Sequence, residues 1–457
     1  MASPRVSGAR AAAAEALLRV ERDQAYAGVS LQAALAERPG LDPRDAALAS
    51  ELVLGTLRFQ LALDHAIAAA ADRPLEKLEL PVLLALRLAV YQLRHTRVPA
   101  HAAVHESVEL VKAAGIGRAA GFVNAILRRI QRGPAAPLPA DPLDRLSVEQ
   151  SHPLWLVRRW ADRLGLEEAR ALCEANNRPA PLTLRVNVRR SSPEALTERL
   201  RETSEREGRG PDPARGPRVV PGRWAAAALL VEGAGPPSSL PGHAEGSFQV
   251  QDEAAQLVGL WAAAPGATVL DVCAAPGGKA CQLAELGATA VIALDVSRRK
   301  LGRVEEEARR LGDTEVRCVT ADARVPLPFR GASLRHVLVD APCSGLGTLR
   351  RHPEVRYRRT EADVVRLAAL QRQILQAALE TLAPGGVLTY AVCSTEPEEG
   401  EAHLADLLRE RPDLGVAPPE PGWARTEDGL VTSAGLLATW PHRHGIDGFV
   451  AFRVRRR

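Results

Sequence analysis

From about residue 248 the chain alternates between two kinds of segment. "ATVLDVC", "AVIALD", "EVRCVT", "RHVLVD" and "GVLTYAV" are apolar runs of strand length. Segments of helix length separate the first three, and residues 361–383 supply another before the last. A strand buried on both faces reads as a continuous apolar run, and parallel neighbours need a helical crossover between them. The pattern therefore predicts an α/β domain over 248–457 with a Rossmann-like, doubly wound parallel sheet. In such sheets ligands bind outside the carboxyl ends of the strands.

With 457 residues the chain is too long for one ordinary core, so further domains must precede this one. Residues 1–132 read as all-helical. Asp42 and Pro43 stand at N-cap and first-turn positions. Leu83, Leu86, Val90 and Leu93 recur at spacings of three and four, and "GFVNAILRRIQR" turns Val123, Leu127 and Ile130 inward. Arg128 and Arg129 then face outward, where guanidinium groups suit phosphate oxygens. "GPAAPLPADP", 133–142, is a Pro-rich linker. Residues 143–247 combine helical patterning after Pro153, an alternating strand at 181–188 and a polar loop, "RETSEREGRGPDPARGPR"; they read as a small α+β module. The whole is a multidomain architecture.

Net charge is only +4, and the excess lies in the helical part: residues 1–133 hold 17 Lys/Arg against 13 Asp/Glu. No run of 18 apolar residues is present, which argues against a membrane span. Glu15 and Arg19 interrupt any signal-peptide core. Six cysteines without a CxxC pair argue for reduced thiols in a cytoplasm, and against a zinc site or disulfide framework.

The strand ends carry the chemistry. The first gives "DVCAAPGGKA". Cys273 and Ala280 stand where a Walker loop needs Gly and Ser/Thr, and no GxGxxG occurs. S-adenosylmethionine, which has no phosphate, is the remaining common ligand of this topology. Residues Cys273, Ala274, Ala275, Pro276, Gly277, Gly278 and Lys279 would bring the backbone against it. Asp295 ends the second strand, placed to accept ribose hydroxyls. Asp322 ends the third, near an adenine amino group, and Asp340 ends the fourth. Lys279 is one of only four lysines in a chain with 59 basic residues, so its retention calls for a chemical role. After Asp340 come Cys343 and then Arg350, Arg351, Arg356 and Arg358 with Tyr357 among them, a pattern that fits an RNA backbone and base stacking. The fifth strand ends at Cys393.

Two thiols beside a methyl donor fit one reaction class. C5 of a pyrimidine is too weak a nucleophile to take a methyl group directly. A thiolate added at C6 makes the ring an enamine. A carboxyl group holds the base as charge develops, and the C5 proton must leave before the thioether can eliminate. Spacing does not decide which sulfur attacks. Transfer to an exocyclic amine is the competing chemistry, disfavoured because Asp-Ala-Pro-Cys stands where such enzymes carry Asp/Asn-Pro-Pro and an aromatic. A non-enzymatic RNA-binding role is the other alternative, and the intact glycine turn and thiols argue against it.

"CAAPGGK", "DAPCSGLGTLRRHP" and "YAVCSTEPEE" resemble the Sun/Fmu family of RNA cytosine-C5 methyltransferases. "FQVQDEAAQL" and "GIDGFVAF" look like further blocks of that family, and "GFVNAILRR" is similar to its NusB-like RNA-binding domain. The resemblance covers nearly the whole chain and points to the family's bacterial 16S ribosomal RNA members. It implies an S-adenosylmethionine-dependent enzyme acting on 16S rRNA, before or during small-subunit assembly; a monomer is the default expectation, and no metal is expected. It also implies that Cys393 is the nucleophile, that Cys343 assists release and that Asp340 contacts the cytosine beside the cofactor. Residues 273–279, Asp295 and Asp322 fall on cofactor positions. Val392, Gly400, Tyr357 and Lys300 depart from the residues common in the family.

Overall fold

The computed structural model describes residues 6–204, 217–419, 422–425 and 429–457. Most of the polar stretch expected as a loop at 201–218 lies outside them. The described chain forms two units, residues 1–178 with 349–358, and 179–348 with 359–457.

The first unit is helical: α1 Gly8–Asp23, α2 Ala27–Ala36, α3 Pro43–Arg58, α4 Gln60–Ala70, α5 Leu80–His95, α6 Ala100–Ala113, α7 Ala120–Arg132, α8 Pro142–Glu149, α9 Leu154–Leu164 and α10 Leu166–Asn176. The Asp42 carboxylate accepts from the Arg44 amide at 2.7 Å and Pro43 opens α3, as the sequence predicts. The expected single apolar face of α5 is too narrow. This helix is buried almost all round, because α1, α3, α4, α6 and α7 all pack against it. Its one buried cation, Arg87, is held by Asp64 at 2.7 Å and Glu21 at 3.1 Å. Gly55 of α3 lies so close to α5 that a Cβ there would sit 2.0 Å from the Tyr91 ring. On α7, Val123, Ile126 and Leu127 are buried, while Arg128 and Arg129 are exposed.

Helices α8–α10 belong to this unit, with α8 against α4, so the expected 143–247 module is divided between the units. The decapeptide Leu349–Arg358 also belongs here, and its charged side chains cap helix termini. Glu354 accepts from the Ala27 amide at 3.0 Å, at the start of α2. Arg358 donates to the carbonyls of Val20, Gln24 and Ala25 at 2.8 Å each, at the end of α1. Arg356, 0% exposed, reaches Arg58 O at 3.3 Å, Ser151 O at 3.1 Å, Asn177 Oδ1 at 2.9 Å and Asn176 O at 3.5 Å. Those acceptors lie at the C-terminal ends of α3, α8 and α10, where unpaired carbonyls and the helix dipoles favour a cation.

The second unit holds two sheets. A four-stranded antiparallel sheet runs β2–β3–β1–β4, with β1 Leu182–Val186, β2 Arg218–Pro221, β3 Ala228–Glu232 and β4 Phe248–Val250; α11, Pro193–Ser204, packs beside β2 and β3. The main sheet is ordered β10–β12–β9–β8–β5–β6–β7, and β11 pairs with β12. Its strands are β5 Thr268–Val272, β6 Ala290–Asp295, β7 Val316–Thr320, β8 Leu334–Asp340, β9 Leu382–Val392, β10 Leu414–Val416, β11 Leu437–Thr439 and β12 Phe449–Arg456. Strands β5–β9 are parallel, as expected; β12 closes antiparallel on β9. The helices α13 Gly278–Glu285 and α14 Arg298–Leu311 pack on β5–β7, and α12 Glu253–Trp261 packs against α13, β1 and β12. Strand order reverses between β5 and β8, so their carboxyl ends frame the crevice. Among the described residues no single helix is long and apolar enough to cross a membrane.

Candidate active site at the carboxyl ends of the central strands

The turn after β5 places Cys273 at φ 64° and Gly277 at φ 108°, and α13 begins at Gly278. The Ala274 amide donates to Leu294 O at 2.9 Å, which ties this turn to the end of β6. There Asp295 accepts from the Ser297 amide at 2.8 Å, and Ser297 caps α14 through the Lys300 amide at 3.3 Å. Val296, next in sequence, is 64% exposed and offers an apolar surface at the same strand end. The Ala321 amide donates to Asp295 O at 3.2 Å, which brings the end of β7 alongside. Asp322 is gripped by Arg324 of its own turn at 2.6 Å, and that guanidinium holds its carboxyl down to about 2.

Lys279 of α13 donates to Asp340 Oδ2 at 2.7 Å, and its ammonium lies 5.3 Å from the centre of the Phe449 ring. Burial works against this ammonium, but Asp340, Cys393 and Asp271 together raise its pKa, so it stays charged. Asp271, on β5, is fully buried with both carboxylate oxygens unpartnered. Burial, and then the charge of Asp340, push its carboxyl well above the usual range. An orphaned buried carboxyl beside a glycine turn fits a ligand carrying an ammonium group, as the amino-acid end of S-adenosylmethionine does.

Asp340, Cys343 and Cys393 come from adjacent strands, β8 and β9. The two sulfurs are 3.3 Å apart and both half-buried. Their surroundings differ. Lys279 lies within Coulombic reach of Cys393. Cys343 is pushed well above the ordinary thiol range by its hydrogen bond to Cys393, by burial and by the nearby charges of Cys393 and Glu399. The Cys393 contact, burial and the Glu399 carboxylate favour the thiol form of Cys343, while the cation near Cys393 is Lys279.

Backbone contacts fix this pairing. The Gly347 amide donates to Cys393 O at 3.0 Å, and the Gly448 amide donates to Gly347 O at 2.7 Å. A Cβ on Gly347 would lie 1.8 Å from Gly448 O, so the approach demands glycine. The segments "DAPCSGLG", "YAVCS" and "GIDGF" therefore meet at one point. Sequence reasoning missed the roles of Phe449, Gly448 and Glu399, although each lies in a stretch it singled out. It also missed Arg185 of β1, whose guanidinium, 2% exposed, holds Gly278 O at 2.7 Å and Glu285 at 2.6 Å. Its signal was a lone Arg in the alternating strand "PLTLRVNV". At Gly400 a Cβ would lie 2.6 Å from Val450 Cγ1, so Val450 occupies the space a larger residue would need.

The arginine cluster expected to meet RNA requires correction. Arg350 is only 9% exposed, so it does not present its guanidinium to a nucleic acid. Arg356 is completely buried and Arg358 is spent on three carbonyls, so these two close helix ends instead. Tyr357, expected as a stacking aromatic, donates its hydroxyl to Ser151 O at 3.0 Å. Arg351 remains half-exposed, and Arg128 lies on the exposed face of α7.

Three family models match the chain: the 16S rRNA methyltransferase RsmB/F over residues 259–455, the NusB family over 7–132, and the RsmF/B-like methyltransferase ferredoxin-like domain over 152–207. The chain is 34% identical to the probable ribosomal RNA small subunit methyltransferase B of Bacillus subtilis, covering 97% of this chain and 98% of that one. It is 38% identical to the ribosomal RNA small subunit methyltransferase B of Pseudomonas putida, covering 96% of each. The crystal structure of PH0851 shares the fold at a TM-score of 0.82 over 100% of this chain and 99% of that one, with 24% identity.

Proposed function

The chain belongs to the family of 16S rRNA methyltransferases RsmB/F, and from that premise we propose that it methylates C5 of a cytosine in 16S rRNA through a covalent cysteine–C6 adduct. It is an S-adenosylmethionine-dependent RNA methyltransferase. The observation that carries the finer reading is the pair of sulfurs 3.3 Å apart, one beside the Lys279–Asp340 pair and the other beside a buried carboxylate.

S-adenosylmethionine supplies an electrophilic methyl group on a sulfonium. The turn 273–279 would lie against it, Asp295 would take its ribose, Val296 and Asp322 would flank its adenine, and Asp271 would face its ammonium. Asp340, held by Lys279, binds the cytosine edge and stabilises charge developing in the ring. The Cys393 thiolate adds to C6, and the electron pair of the resulting enamine would form the C5–CH3 bond as the methyl–sulfonium bond breaks, leaving a neutral thioether. Loss of the C5 proton to a base or an organised water restores the C5–C6 double bond as the C6–S bond breaks, returning the thiolate. Cys343, at hydrogen-bond distance from Cys393, assists that departure. Arg128, Arg129 and Arg351 remain the expected arginines that would contact the RNA backbone.

Cys393→Ala abolishes both turnover and adduct, whereas Cys343→Ala accumulates an SDS-resistant protein–RNA adduct. Gel analysis with labelled rRNA reads both outcomes. An adduct from the Cys393 variant and none from the Cys343 variant would reverse the assignment. Bisulfite mapping of rRNA with and without the gene tests the product, since a methylated exocyclic amine would give a different nucleoside.

A further inference from the structure

Six residues after Cys393 stands the buried carboxylate already noted beside Cys343. Glu399 is 0% exposed, and three donors converge on it: the Ser344 amide at 2.8 Å, the Ser344 hydroxyl at 2.5 Å and Gln371 Nε2 at 2.9 Å. Ser344 follows Cys343 directly, and its hydroxyl oxygen also lies 3.1 Å from Ser394 Oγ, which follows Cys393 directly. Gln371 is locked in turn. Its amide nitrogen donates to Pro342 O at 3.0 Å, and its oxygen lies 3.1 Å from His403 Nε2. Burial drives the His403 pKa down to about 4, so this imidazole is neutral at physiological pH and carries its proton on Nε2. The carbonyl of Glu399 is held by the Tyr390 hydroxyl at 2.8 Å, which fixes the clamp to β9.

A lone buried carboxylate is costly unless it is fully hydrogen-bonded, and here two of the three donors come from the loop of one cysteine while the carboxylate itself comes from the segment after the other. We infer that Glu399 is the positioning residue of the two-thiol site: it clamps the Cys343 loop to the Cys393 loop and so holds the two sulfurs at hydrogen-bond distance, the arrangement suited to assisting release. The inference rests on the covalent reading above for its catalytic half, and the hydrogen bonds to Glu399 carry the clamp. The titratable groups facing the Cys343 thiol are Cys393 and Tyr390 of β9 and Glu399; Arg359, donating to Ser344 O at 2.9 Å, holds the outer side of the loop.

The test uses Glu399→Gln, which keeps shape and removes charge, and Ser344→Ala, which removes one donor and leaves the carboxylate. Both are made in the full chain. Calorimetric S-adenosylmethionine binding within about twofold of the parent shows an intact fold. Iodoacetamide labelling, mapped by mass spectrometry between pH 7 and pH 10, requires no RNA. Glu399→Gln loosens the clamp and labels Cys343 severalfold faster at pH 8, and Ser344→Ala does so by a smaller factor. In single turnover with rRNA, the SDS-resistant adduct lives at least tenfold longer in Glu399→Gln and severalfold longer in Ser344→Ala. Unchanged Cys343 labelling and unchanged adduct lifetime in a cofactor-binding Glu399→Gln protein overturn the inference. If that variant does not bind the cofactor, an adduct lifetime in Ser344→Ala equal to the parent's overturns it. If no adduct forms even in Cys343→Ala, the covalent reading fails, and the labelling arm still decides whether Glu399 clamps the Cys343 loop.

Discussion

Replacing Arg356 by Met tests whether helix termini alone can sustain a buried cation. The guanidinium is held by backbone carbonyls and an asparagine amide, and its two shortest contacts are Asn177 Oδ1 at 2.9 Å and Ser151 O at 3.1 Å. Removing the donor leaves Asn177 Oδ1 and Arg58 O without this partner, while Ser151 O keeps the Tyr357 hydroxyl; at about 1–3 kcal/mol each the two losses come to roughly 4 kcal/mol. Met fills much of the volume and no longer requires a charge to be desolvated, which returns about half of that. The net loss is about 2 kcal/mol, or roughly a thirtyfold rise in local opening, since each 1.4 kcal/mol is tenfold. Hydrogen–deuterium exchange reads this directly, because the faster amides should fall in the last turns of α3, α8 and α10 and spare β5–β9. A two-unit chain need not unfold in one step, so local exchange is a better measure than a single midpoint. If Arg356→Met exchanges at or below the parent rate in those turns, the carbonyls return less than the burial costs and the capping argument is wrong.

Two further outcomes follow from the same geometry. Gly347→Ala, whose Cβ meets Gly448 O at 1.8 Å, should separate the two cysteine loops; methylation in single turnover falls at least a hundredfold, on the order of 3 kcal/mol of barrier, while calorimetric cofactor binding persists. Asp313, 4% exposed, is pushed up to about 7, first by burial and then by Glu285, so its contribution to stability is greatest at low pH and is lost as pH rises from the ordinary carboxyl range through about 7. Asp313→Asn should therefore raise the denaturation midpoint at pH 8 and have little effect at pH 4; equal shifts at both would refute the sign.

The parallel sheet was legible because its strands are continuous apolar runs, and the strand-end acids because such sheets place ligands at one edge. The thiols were legible as chemistry but not as a ranked pair. Their difference arises from Lys279 and Glu399, which approach from α13 and from the turn after β9, and no local spacing records that. The arginine run misled for the same reason. Arg356 and Arg358 sit in a charged, aromatic-bearing stretch like that of an RNA-contacting loop, yet their partners are carbonyls more than 170 residues away in sequence. A helix C-terminus has no side-chain signature that marks it as the destination of a distant cation. The nearly all-round burial of α5 escaped likewise, since a central helix is defined by the number of its neighbours.

The decapeptide Leu349–Arg358 has a consequence for how this protein can be dissected. The chain leaves the second unit after Thr348 and re-enters it at Arg359. A protease cut or a gene truncation at the Pro-rich stretch 133–142, or anywhere before residue 179, therefore does not release a self-sufficient catalytic fragment. Such a fragment would carry Glu354, Arg356 and Arg358 stripped of the helix ends that accept them, in the loop that continues from Cys343. Its inactivity would not show that the helical part binds substrate. Separating the two functions requires redesigning those ten residues as well.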